Sequence, residues 1–184
     1  MTRQTFAEFI ALLQQLSAEM RRLAKPTIAA VNGYALAGGF ELAVICDIRV
    51  AAENATFGLP DASIGLSPTS GLTYLLPRIV GLGWAKHLTF TGETIDARQA
   101  ERIGLVTRVT PAGAAETAAV AMARAIAGCP SLGLRHVKPG FDVAADVNFA
   151  AALVYETEAE VACFETEEVH ANLRRFAERK KGKN

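Results

Sequence analysis

Phe6, Phe9, Ile10, Leu13, Leu16, Met20 and Leu23 recur at every third or fourth position, with polar residues between them. That spacing is one apolar face of a helix, predicted to run to about residue 24. Lys25-Pro26 stops it, because proline lacks an N–H and disfavours helical geometry in the residue before it. Residues 27–31 then read as a short buried strand. From Gly38-Gly39 to Cys46 the chain is apolar on nearly every side, the pattern of a short buried helix. Residues 47–51 alternate like a strand. Turn signals follow at Glu53-Asn54, Pro60-Asp61 and Ser67-Pro68.

The remainder predicts helices over residues 71–80, 84–90 and 96–103, the last capped by Asp96 or Thr94. Residues 105–109 are a final strand candidate. Long helical stretches cover about 112–127, 131–144 and 148–179. Strands come early and helices late, with no internal linker.

Composition narrows the class. The 184 residues are 51% hydrophobic and 21% charged, enough for a real core in one domain with at most a small appendage. Lys plus Arg equals Asp plus Glu at 19 each, so there is no net basic field for nucleic acid or an anionic membrane. No apolar run reaches the roughly 18 residues that span a bilayer, and the N-terminus lacks the apolar centre of a signal peptide. Cys46, Cys129 and Cys163 form no C-x-x-C pair and read as reduced, buried thiols of a cytoplasmic protein. His87, His136 and His170 show no metal-ligand spacing, so no metal site is expected.

One charge stands out. Between Ala35 and Cys46, Glu41 is the sole ionisable side chain. Burying it costs several kcal/mol unless it is paired, hydrogen-bonded or protonated. Gly38 and Gly39 open the same helix, where free N–H groups and the positive end of the dipole favour a developing anion. Close packing of the helix on a strand, with Glu41 reaching to water, explains the pattern as well, and pattern alone favours it. The run matches neither G-x-G-x-x-G nor a P-loop, so no nucleotide fingerprint is present. Asp61 follows Pro60, which is common turn chemistry. Ser63, Ser67 and Ser70 lack the G-x-S-x-G context of a hydrolase nucleophile.

Taken together, several segments resemble the enoyl-CoA hydratase/isomerase (crotonase) family. They are KPTIAAVNG from Lys25, AGGFEL from Ala37, Cys46-Asp47, FGLPD from Phe57 and IGLSP from Ile64. Leu76-Pro77-Arg78, LTFTGE from Leu88, AERIGLV from Ala100 and the tail ending Phe176-Ala177-Glu178-Arg179-Lys180 continue the match. The resemblance implies an α/β, crotonase-like spiral ββα core over residues 1–110, followed by a helical C-terminal trimerisation region over 111–184. It implies a small-molecule acyl-CoA substrate, no separate cofactor, and a homotrimer or dimer of trimers. Gly38 is then an oxyanion-hole donor to the thioester oxygen, Glu41 the base that activates water, and Asp61 the acid/base at the carbon beside the thioester. Ala37, Phe40, Leu66, Pro68 and Thr69 fall at the substrate pocket, and Phe176 and Lys180 at the coenzyme A site.

Three departures qualify this. The family carries a further N-terminal segment, with an A-G-A-D-like motif that gives a second oxyanion donor. Nothing before Lys25 replaces it. The expectation is an N-terminally shortened chain whose uncovered surface is closed by oligomerisation. Asp61 is one methylene shorter than the glutamate usual in hydratases. Leu72 and Thr69 replace small residues in the family's glycine-rich stretch. The leading expectation is hydration of a 2-enoyl-CoA to a 3-hydroxyacyl-CoA, as in fatty-acid β-oxidation. The alternatives are a double-bond isomerase on the same site, or a silent member acting in assembly.

Overall fold

The computed structural model describes the backbone of residues 1–181 and the side chains of residues 1–178. The chain divides into two compact units, Met1–Ala123 and a helical unit beginning at Arg124.

Helix α1 (Arg3–Arg22) opens on a reciprocal cap: Thr2 Oγ accepts the Thr5 N–H, and Thr5 Oγ accepts the Thr2 N–H. Strands β1 (Ile28–Val31) and β2 (Tyr34–Leu36) lead into α2 (Gly38–Ile45). Then come β3 (Ile48–Ala52), β4 (Thr56–Gly58), a 3-10 turn (Pro60–Ile64) and α3 (Leu72–Thr91). Strand β5 (Thr94–Asp96), α4 (Ala97–Arg102), β6 (Arg108–Thr110) and α5 (Ala115–Ala127) complete the sequence around the first unit.

Two three-stranded sheets result. One has the order β1-β3-β6 with both pairings parallel. The other has the order β2-β4-β5, with β2-β4 parallel and β4-β5 antiparallel. A clamp sets the β1-β3 register. The Asp47 carboxylate accepts the Thr27 N–H at 2.6 Å and its hydroxyl at 2.8 Å, and Thr27 Oγ accepts the Asp47 N–H at 3.1 Å. Ile28 and Ile48 consequently start their strands side by side. Phe40, Phe57, Leu59, Leu72, Leu76 and Leu88 fill the main core. A smaller cluster joins Val50 and Ala52 of β3 to Ala115 and Ala119 of α5, so the first unit continues past residue 110.

Periodicity alone misses β2, β4 and β5, each three residues long. The final strand also lies later than residues 105–109. Leu105 and Val106 are buried, and their N–H groups close the end of α4 on the Ala100 carbonyl. The two helices expected over 71–80 and 84–90 are both present within α3, which is broken by a kink at Gly81, where the backbone leaves helical geometry at φ 79° and ψ 155°. Asp96 caps α4 through the Gln99 N–H at 2.6 Å, as its residue type predicts.

In the second unit α6 (Ser131–Asp146) packs on α7 (Phe149–Phe164), and the Tyr155 hydroxyl donates to the His136 carbonyl at 2.9 Å. The single helix expected over 148–179 is broken. The Thr166 hydroxyl accepts the Val169 N–H and starts α8 (Glu167–Lys181) afresh. Cysteine burial is also corrected. Cys129 is exposed just beyond the end of α5, while Cys46 and Cys163 are half-buried. Among the described residues no single helix is long and apolar enough to cross a membrane.

Candidate active site

Helix α2 holds the site. Ala37 turns the chain from β2 into it with φ 48° and ψ −121°, a conformation unusual for a residue with a side chain. The Ala37 N–H bonds to the Gly58 carbonyl at 3.1 Å, and its own carbonyl accepts the Glu41 N–H at 2.9 Å. The N–H groups of Gly38 and Gly39 precede that first helical bond and have no partner within the helix. Both glycines are exposed, and a Cβ added to either would meet nothing within 4 Å. An anion brought to this end therefore finds open space, N–H donors and the positive end of the dipole.

The other end of α2 is fixed by Arg49, a buried guanidinium of β3. It donates to the carbonyls of Cys46 at 2.6 Å, Ala43 at 3.3 Å and Val44 at 3.4 Å, and to that of Leu105 at 2.5 Å. A cation among the last carbonyls of a helix complements its dipole. Sequence reasoning missed this residue, because an arginine in an alternating strand reads as solvent-facing.

Glu41, one turn into α2, is 4% exposed. Its cost of burial is met by three donors from the loop before α3. Oε1 accepts the Thr69 N–H at 2.5 Å; Oε2 accepts the Thr69 hydroxyl at 2.7 Å and the Ser70 hydroxyl at 3.0 Å. Glu41 does not reach out to water. Asp61 lies in the 3-10 turn, with Oδ2 shielded from solvent and no hydrogen-bond partner among the described residues. Burial pushes its carboxyl above the ordinary aspartate range, and the charge of Glu41 adds to this against the pull of its own backbone N–H. A shielded, unpartnered carboxyl with a raised pKa, coupled electrostatically to a fixed carboxylate, is chemistry that suits an acid/base pair.

The other expected residues separate. Thr69 binds Glu41 directly. Ala37 is half-buried at the turn, and Pro68 lines an apolar cavity of about 210 Å³ with Leu72, Leu76 and Phe90. Leu66 is 45% exposed. Phe40 is 0% exposed and belongs to the core, because its position on α2 faces the β-sheets' packing cluster. Phe176 stands 70% exposed on α8 in the second unit, and the side chain of Lys180 lies outside the described residues. Ser70 and Ser17 were not anticipated. The available signal was the buried charge of Glu41, which demands donors, beside an unusual Thr-Ser pair in a glycine-rich context.

A sequence model of the family described as enoyl-CoA hydratase/isomerase matches residues 2–183. The chain belongs to this family. It is 40% identical over 159 residues to a short-chain-enoyl-CoA hydratase of Clostridium acetobutylicum, covering 86% of this chain and 61% of that protein. It is 38% identical over 174 residues to a crotonyl-CoA hydratase of Syntrophomonas wolfei, covering 95% of this chain and 67% of that one. Among solved structures, an enoyl-CoA hydratase from Bacillus anthracis superposes with a TM-score of 0.94 at 33% identity, over 97% of this chain and 69% of that chain. The fold is therefore the crotonase-like α/β fold, and the chain spans about two thirds of the length of these relatives.

Proposed function

We propose that this family member hydrates a short-chain 2-enoyl-CoA to the 3-hydroxyacyl-CoA. The observation that carries the reading is the buried Glu41 carboxylate, fixed by three donors one turn behind the open N–H groups of Gly38 and Gly39. The names of the relatives support it. In the reaction, Glu41 takes a proton from water as the water oxygen bonds to C3. Electrons move through the former double bond onto the thioester oxygen, where the Gly38 N–H stabilises the enolate-like charge. Asp61, held toward its protonated form, delivers a proton to C2. The atoms of one water are thereby added across the double bond.

Double-bond isomerisation is the second reading, favoured by the shielded, unpartnered Oδ2 of Asp61, which suits a proton shuttle. The test is loss of enoyl-thioester absorbance from crotonyl-CoA, with Glu41→Gln as control. Hydration by the parent that vanishes in the variant is expected. Isomerisation of a 3-enoyl-CoA that survives in the variant, without hydration in the parent, selects the second reading.

The same proposal includes self-assembly into a trimer or dimer of trimers. It is supported by the exposed apolar side chains of the helical unit, among them Phe141, Phe149, Val154, Phe164 and Phe176.

A further inference from the structure

We propose that Thr69 and Ser70 act as a hydroxyl clamp that holds Glu41 with a single lone pair of Oε1 left for the attacking water. The inference rests on the hydratase reading and adds positioning residues to it. An ionised carboxylate offers about four lone-pair sites. The Thr69 N–H takes one on Oε1, and the hydroxyls of Thr69 and Ser70 take both on Oε2. What remains is one acceptor site on Oε1, which fixes both the identity and the direction of the base.

The backbone supports the same conclusion. Ser70 adopts φ 57°, a left-handed conformation that a residue with a Cβ enters at a cost. Glycine would take this position without strain, yet a serine occupies it with its hydroxyl on Glu41. Ser17 of α1, itself buried, donates to the Ser70 carbonyl at 2.8 Å and holds the loop in this shape. Helix α1 thus reaches the base through two successive hydrogen bonds that share Ser70. The family resemblance puts Thr69 at the substrate pocket, but its N–H and hydroxyl are both turned onto Glu41, so all three residues are assigned a positioning role, through Glu41 or through the loop.

The test compares Ser70→Gly, Thr69→Val and Thr69→Ser with the parent and Glu41→Gln in crotonyl-CoA hydration, with thermal melting to confirm folding. Ser70→Gly keeps the carbonyl gripped by Ser17 and relieves the left-handed residue, so the fold survives while the hydroxyl is lost. Misplacing a catalytic group by about 1 Å can cost on the order of 10²-fold, so kcat should fall about tenfold or more in Ser70→Gly and Thr69→Val. KM should stay within about twofold, because ground-state binding is untouched. Thr69→Ser restores the donor and should keep near-parental kcat. Four results overturn the clamp. Two are parental kcat in both Ser70→Gly and Thr69→Val, and a rise in KM alone. The third is a Thr69→Ser variant as impaired as Thr69→Val. If the parent itself does not hydrate and Glu41→Gln changes nothing, the hydratase reading fails and the clamp with it. Failure of the clamp alone is recognised by an active parent and a dead Glu41→Gln.

Discussion

Replacing Arg49 by methionine tests whether α2 is anchored from its C-terminal end. The side chain keeps most of its apolar length but loses every donor. Two of the four contacts, to Leu105 and Cys46, are short; those to Ala43 and Val44 are long and count for less. A hydrogen bond to a charged group contributes about 1.5–3 kcal/mol, so the two short ones together contribute about 3–6 kcal/mol. These values are net of the hydration that both partners give up, so the burial of the guanidinium and the carbonyls left without a donor are already inside them. The lower end, a net loss of about 3 kcal/mol, corresponds to roughly 6–12 °C in Tm for a chain of this size. Thermal unfolding followed by circular dichroism measures it directly. Arg49→Lys should recover only part of the loss, because one ammonium cannot reach carbonyls spread over α2 and Leu105 as the guanidinium fork does. A methionine variant that melts with the parent would refute the reasoning, since the carbonyls would then have found other partners at no cost.

The remaining predictions concern Asp61 and assembly. The folded-state pKa of Asp61 is raised, so its contribution is fully present below the ordinary aspartate range and is lost as pH rises through the raised value. Asp61→Asn should therefore gain on the parent in urea unfolding at neutral pH and lose that advantage under acid, while hydration is abolished at every pH. Equal pH dependence of the two proteins would place the titration elsewhere. Sedimentation at micromolar concentration should give a trimer or hexamer mass, and a well-behaved monomer would remove the proposed self-assembly.

The elements read correctly from the sequence are those specified by local rules. Helix α1 shows the 3.6-residue period and ends before Lys25-Pro26, and α4 starts at an Asp96 cap. Helix α2 is apolar on nearly every side and buries Phe40, Glu41, Ala43, Val44 and Ile45, leaving Leu42 and the two opening glycines exposed. Glu41 was conspicuous for the same reason, as a charge with no local partner. Its family resemblance then pointed to Gly38 and Asp61 as companions.

Tertiary structure decided the rest. Strands β2, β4 and β5 are too short for a period-two signal, and they exist because partners distant in the chain complete their hydrogen bonds. Phe40 and Glu41 are adjacent on one helix, yet one enters the core and the other meets the α3 loop. Arg49 is buried because four carbonyls, three on α2 and its cap and one at Leu105, converge on it. The Ser17–Ser70–Glu41 chain joins three segments separated by tens of residues. The sequence alone fixed where a charge would be costly. Only the folded chain could supply the donors that make it affordable, because those donors come from contacts that no local pattern encodes.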